Sequence, residues 1–309
     1  CRKQNLIILL FAFLTLVLYG SHIYLFETSQ FRRKFSSQFP YFTREVINPH
    51  TFEYVIQPRV NCSGQKVELV ICTWGSYAKD PNNKAVLLFF IGSENGELDT
   101  ASRLVRQSKL QEEASTFGDI VQENYLDSYR NLTLKSVSIL RWVNLFCPNT
   151  KYILKVDDDV YMNIPFLMSS LDEFIVASSP PSAFIIGCSR PIPFPERDPT
   201  SKWYTPFSVY GELLFPRYVH GLAYVMTSEA GTLIYEASLR VTRFWLEDIY
   251  ITGMCAREAH VPVYHSKYFH LVKLVASGCS FRNMVCSHSY SQEEIVKIHT
   301  ELNDTNLMC

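Results

Sequence analysis

The sequence predicts an α/β layered fold with a largely parallel sheet, preceded by an apolar membrane anchor. Three observations carry this. From Val67 onward, short apolar runs alternate with amphipathic stretches, the pattern of strand–helix units. Leu6–Phe26 is a run of 21 residues without Asp, Glu, Lys or Arg. At 1.5 Å per residue it spans roughly 30 Å, the thickness of a bilayer core. Hydrophobic residues make up 47% of the 309, which excludes a disordered chain and supplies a sizeable core. The 29 Lys and Arg balance 30 Asp and Glu for a net charge of −1. That excludes a protein whose main work is coating nucleic acid.

Arg2 and Lys3 precede the anchor and favour a cytoplasmic N-terminus, although Arg32, Arg33 and Lys34 follow it. Apolar residues continue past Gly20, which favours an uncleaved signal anchor. The competing readings are a cleaved signal peptide, with a weak small-residue site at Leu18-Tyr19-Gly20-Ser21, and a buried helix. The expected organisation is a tail (1–5), a transmembrane anchor (6–26), a stem (27–60) and a lumenal domain (61–309). Residues 27–60 carry Pro40, Pro49 and Pro58 without a clear period, hence the stem. Sequons at Asn61, Asn131 and Asn303 all follow the anchor, as a lumenal body requires. The nine cysteines fit an oxidising compartment, and the absence of a C-x-x-C pair disfavours structural zinc.

Within the body, Val67–Cys72 and Ala85–Ile91 read as strands and Thr100–Ser115 as a polar-faced helix. Asn131–Cys147 reads as a helix with Leu134, Val137, Leu140 and Val143 on one stripe, stopped by Pro148. Lys151–Val156 is a buried strand, Ile164–Ala177 a helix with Pro165 in its first turn, and Ala183–Cys188 another strand. Residues 189–217 hold six prolines and read as a long loop of the kind that covers a site. Ser228–Leu239 and Glu247–Ala259 read as helices.

Asp157-Asp158-Asp159 follows an apolar strand directly. In α/β sheets ligands sit at the carboxyl ends of strands, and carboxylates there can hold a divalent cation on a diphosphate. The bland alternative is a solvated turn or a helix cap. Glu247-Asp248 can supply a general base for a sugar hydroxyl, or can merely complement a helix dipole. His220-Gly221-Leu222-Ala223-Tyr224 is a small-residue turn where backbone can approach a ligand, or an ordinary turn before a strand. His265, His270 and His288 are candidate metal ligands, more often structural. No G-x-G-x-x-G, phosphate-loop or G-x-S-x-G motif occurs. That argues against dinucleotide enzymes, P-loop kinases and the usual serine hydrolases.

At these residues the sequence resembles the Golgi β-1,3-galactosyltransferase and β-1,3-N-acetylglucosaminyltransferase family. Phe117–Val121 through Asp127–Lys135 is similar to a segment ending in a DSYxNLTLK run. Lys155–Tyr161 is similar to the D-x-D metal motif, Glu247–Gly253 to an E-D-V-Y-x-G motif, and His288 with Ser291–Glu294 to H-x-x-S-P-E-E. The matches run from about Val67 to His299. The resemblance implies a GT-A fold, a mixed but mostly parallel sheet flanked by helices. It also implies a Golgi type II membrane enzyme that transfers a hexose, galactose first, from a UDP-sugar to a glycan acceptor in β-1,3 linkage with inversion. Carried over, Asp159 and His288 would ligate Mn²⁺ and Asp248 would be the general base. Asp157, Asp158, Lys135, Gly221 and Glu247 would bind substrate. N-acetylglucosamine is the alternative donor.

Two departures stand out. The family's R-x-x-I-R-x-T-W-G segment is shortened, Val70-Ile71-Cys72 running straight into Thr73-Trp74-Gly75. Its Gly-Gly-Gly-Tyr turn is here Gly221-Leu222-Ala223-Tyr224. The lost arginines favour a rival reading, an inactive relative that binds glycans or a partner.

Overall fold

The computed structural model describes residues 41–60, 62, 67–72, 78, 81–94 and 99–309. Leu6–Phe26 lies outside them. Among the described residues no helix is long and apolar enough to cross a membrane. The chain divides into two compact units. The larger, Phe42–Pro191 with Pro216–Cys309, holds all the strands and helices discussed below.

Its sheet has eight strands: β1 (Tyr54–Ile56), β2 (Leu69–Cys72), β3 (Ala85–Ser93), β4 (Ile120–Leu126), β5 (Tyr152–Val156), β7 (Ile185–Gly187), β8 (Ala223–Thr227) and β9 (Val263–His265). The order is β1-β4-β3-β2-β5-β8-β7-β9. Strands β4, β3, β2 and β5 run parallel, β8 is antiparallel to β5 and β7, and β1 is antiparallel to β4. The sheet is therefore mixed, with a parallel centre. A separate ribbon pairs β6 (Val160–Met162) with β10 (Cys286–His288).

The central strands are apolar on both faces because helices cover both. Leu69, Ile71, Tyr152, Leu154 and Val156 pack with Ile164, Leu167 and Leu171 of α3 (Ile164–Ser178). The alternate residues point the other way, as the two-residue strand period requires. There α2 (Leu132–Phe146) and α4 (Ser228–Ser238) close in, so that a Cβ on Gly231 would stand 2.6 Å from Ile153 Cδ1 and 3.6 Å from Leu140 Cδ2. Lys155 lies on this second face, the one charged residue of β5. The polar-faced α1 (Thr100–Phe117) is capped by Asp99 and ends at Gly118, whose φ of 70° suits glycine. No residue of α1 is fully buried.

Three expectations need adjustment. The stem assigned to 27–60 does not extend through 42–60, which belong to the fold. Phe42 bridges Val241, Thr43 and Ile47 donate to Arg240 and Leu239 carbonyls, and β1 pairs with β4. His50, buried, meets the fully buried Glu123 at 2.8 Å, and Arg141 meets its other oxygen at 2.9 Å. The helix expected over Glu247–Ala259 is instead a π-helix, Ile249–Cys255, followed by one α turn. The C-terminal α5 (Gln292–Leu302), opened by a Ser291–Glu294 capping box, was not anticipated. Disulfides join Cys62 to Cys147 and Cys279 to Cys309.

The smaller unit is described at Tyr41 and Ile192–Phe215. Tyr41 stacks on Tyr210 at 5.0 Å, and Arg197 donates to the Thr205 and Glu212 carbonyls, which fixes a chain with no regular elements.

Candidate active site

The acidic triplet is the turn from β5 into β6, at the carboxyl end of the parallel centre. Asp158 and Asp159 are exposed. Asp157 is half-exposed and ion-paired to Lys155. Lys155 also donates to the Gly221 carbonyl. Burial acts to lower the Lys155 pKa, but Glu247, then Asp157 and Asp248, together hold it above the ordinary lysine value. The ammonium is thus a fixed positive centre under three carboxylates.

Glu247 is buried. Its Oε1 accepts from Ser136 Oγ at 2.6 Å and Tyr224 Oη at 2.7 Å. Tyr224 faces Lys155 across the β5–β8 pair. Asp248, partly buried, accepts from Ile249 N–H at 2.9 Å and Gly221 N–H at 3.2 Å. Burial, then the charge of Glu247, pushes Asp248 up to about 7. A carboxyl poised there is suited to proton abstraction near neutrality. Gly221 has a specific reason to be glycine: a Cβ there would lie 3.2 Å from Glu247 Oε2 and 3.3 Å from Asp248 Cβ. The close approach is made to the two acidic side chains.

The π-helix holds Asp248 in place. Thr252 Oγ1 donates to the Asp248 carbonyl at 2.6 Å and accepts from Val219 N–H at 3.1 Å. Tyr250 Oη donates to the Ser238 and Val241 carbonyls. Single π turns concentrate at functional sites because they rotate side chains out of the helical register.

His288 lies opposite Val160 in the β6–β10 ribbon, next to Asp159. Its Nε2 is 2.7 Å from the Leu271 carbonyl, which can only accept, so Nε2 carries the hydrogen and Nδ1 is the lone-pair nitrogen. Ser289, at φ 68°, brings its Oγ to 2.8 Å from Nδ1. Among the described residues no three His, Cys, Asp or Glu side chains gather into a metal-holding set. A hard cation of the Mg²⁺ or Mn²⁺ kind nonetheless needs only one or two protein ligands when a diphosphate completes its shell. Exposed Asp158 and Asp159 with a tautomer-fixed His288 fit that requirement.

The remaining expected residues are placed elsewhere. Lys135 pairs with Asp127 at 3.1 Å, and Asp127 accepts from Gly92 N–H. Asp127 borders a pocket of about 730 Å³ along α1, lined also by Arg103, Gln107 and Gln122. That pocket includes none of Asp157–Asp159, Glu247 or Asp248. His265 accepts from Ser189 N–H, and His270 turns to the Val272 carbonyl. Lys155 and Tyr224 stand in the sequence only as members of the Lys155–Tyr161 and His220–Tyr224 stretches, without roles of their own, and Ser136 lies outside every motif. A lysine inside an otherwise apolar strand is the available signal for Lys155; nothing local distinguishes Ser136.

The Galactosyltransferase family model matches residues 68–267. The chain belongs to the galactosyltransferase family. Mouse β-1,3-galactosyltransferase 1 and its human counterpart are each 30% identical over 278 residues, 83% of this chain and 80% of theirs. Human β-1,3-galactosyltransferase 2 is 27% identical over 284 residues, 84% of this chain and 64% of its own. The solved apo structure of mouse xyloside xylosyltransferase 1 covers 72% of this chain and 97% of its own at 14% identity, with a TM-score of 0.32, too low to argue from. As a glycosyltransferase, the protein acts on a sugar donor and a glycan acceptor. The galactosyltransferase match spans both the acidic turn and the Glu247–Asp248 pair.

Proposed function

We propose that this glycosyltransferase moves galactose from UDP-galactose to a glycan hydroxyl in β-1,3 linkage, with inversion, on a GT-A scaffold. The observation that carries the reading is Asp248, a carboxyl raised to about 7 and fixed by two backbone N–H groups within a galactosyltransferase chain. In the reaction Asp248 takes the proton of the acceptor hydroxyl. The acceptor oxygen bonds to the anomeric carbon as the bond to UDP breaks on the opposite face, so an α-linked donor gives a β-product. Glu247, Ser136 and Tyr224 hold the base in position, while Lys155 supplies a fixed positive charge beside the two carboxyls. Asp159 and His288 would hold Mn²⁺, with Asp157 and Asp158 toward the ribose and metal. When bound, the cation supplies charge neutralisation for the departing diphosphate. Gly221 contributes through Asp248, whereas Lys135, paired with Asp127, has no part in this reading.

The name of β-1,3-galactosyltransferase 1 supports the linkage and sugar, with UDP-N-acetylglucosamine the alternative donor. The apolar run at 6–26 and two disulfides support a single-pass type II protein of the Golgi membrane with a lumenal body. The short join at Cys72–Thr73 favours a second reading, a glycan-binding relative without turnover. Calorimetric titration with UDP, with and without Mn²⁺, separates the two. The transferase reading expects UDP binding that requires the metal. Absence of metal-dependent binding would overturn it.

A further inference from the structure

We infer that His220 is a positioning residue for the acceptor sugar, reading the hydroxyl beside the one that Asp248 deprotonates. The inference rests on the transferase reading above and assigns that site a specificity element. His220 directly precedes Gly221, whose N–H is bonded to Asp248. One peptide unit therefore links the imidazole to the base. The His220 N–H donates to the Cys188 carbonyl at 2.8 Å, which anchors the turn at the end of β7. The ring packs edge-on against Tyr218, centroids 5.4 Å apart. Tyr218 approaches because residue 253 is glycine: a Cβ there would lie 3.2 Å from Tyr218 Cβ. Burial pushes the Tyr218 hydroxyl up to about 12, with the Asp248 charge adding to the rise and Arg190 opposing it. Tyr218, His220, Arg190 and Asp248 thus form one neighbourhood.

The His220 Nε2 is buried and has no hydrogen-bond partner among the described residues. A buried polar nitrogen left unsatisfied is costly, and such groups persist where a ligand or water completes them. Burial, then Arg190, lowers the His220 pKa to about 4, so the ring is neutral at neutral pH. A neutral imidazole offers one donor and one acceptor, the complement of a sugar hydroxyl. The charged diphosphate belongs with the acidic turn and a cation. The uncharged hydrogen-bonding group beside the base faces the other substrate, whose proton that base removes.

The test uses the full chain, UDP-galactose and simple alkyl β-glycoside acceptors, each with its congeners deoxygenated next to the attacked hydroxyl. His220→Ala is expected to raise acceptor KM roughly tenfold, the worth of one neutral hydrogen bond, with kcat, donor KM and UDP affinity nearly unchanged. His220→Asn, which keeps a donor and an acceptor, should recover part of the loss. One deoxy acceptor should be penalised by a similar factor with the wild type and not further with His220→Ala. Equal losses on parent and deoxy acceptors, or an unchanged acceptor KM, would overturn the inference alone. Absence of wild-type turnover on any acceptor would overturn the transferase reading and this inference with it.

Discussion

Lys155 sits where Asp157, Glu247 and Asp248 converge, and its side chain is only 15% exposed. Replacing it by Met removes the positive centre and leaves buried carboxylates uncompensated. Lys155→Met is expected to cost about 3–5 kcal/mol at pH 7, read from urea unfolding. A loss under about 1 kcal/mol would mean that the carboxylates are compensated otherwise. Asp248→Asn should keep UDP affinity and lower kcat by about 10²–10⁴. The wild-type rate should rise with pH through about 7, and the residual rate of the variant should not. The stability sign is the reverse. The folded pKa of Asp248 lies above the ordinary carboxylate value, so its contribution is fully present below about pH 4 and is lost as pH rises through about 7. Asp248→Asn should therefore raise Tm relative to wild type at pH 8 and much less at pH 4.

At the scale of elements, the sequence located the central strands well because their apolar runs leave no alternative. It missed β4, whose IVQENYL mixes polar residues into a mostly buried strand. There Gln122 is satisfied by Gln107, and Glu123 by His50 and Arg141. Those partners come from α1, α2 and the N-terminal segment, so no local pattern announces them. The π-helix was unreadable for a similar reason: it is held by Thr252 bonding the Val219 backbone and by Tyr250 reaching the Ser238 carbonyl, both outside the helix. The Cys62–Cys147 bridge, with a sequence separation of 85, ties the segment before β2 to the end of α2. Cys62→Ser is expected to cost roughly 2–5 kcal/mol through the freed unfolded chain, measured by denaturant unfolding against the wild type. An unchanged midpoint would show that the bridge adds nothing to stability.

For the whole molecule, the point at which the folded body begins has practical weight. The sequence set it at 61, whereas the structure includes 42–60. A fragment starting at 61 would strip β1 from β4 and take His50 from the buried Glu123. It should melt well below a fragment starting at 42, by an amount in keeping with breaking a buried charge cluster, about 3–5 kcal/mol. Equal melting of the two fragments would return 42–60 to the stem.

Composition, period and motif order determined the layered α/β class, the central strands, the family resemblance and the two acidic clusters. Each of these depends on local residue type or on spacing along the chain. Tertiary structure decided what the clusters are made of. It aimed Lys155 between them, brought Ser136 and Tyr224 onto Glu247, and placed His288 beside Asp159 through a ribbon pairing that spans more than a hundred residues. It also put Gly221 against Asp248 and left His220 with an unanswered nitrogen. Those properties arise from desolvation and from charges brought together across the chain, and neither exists until the chain has folded.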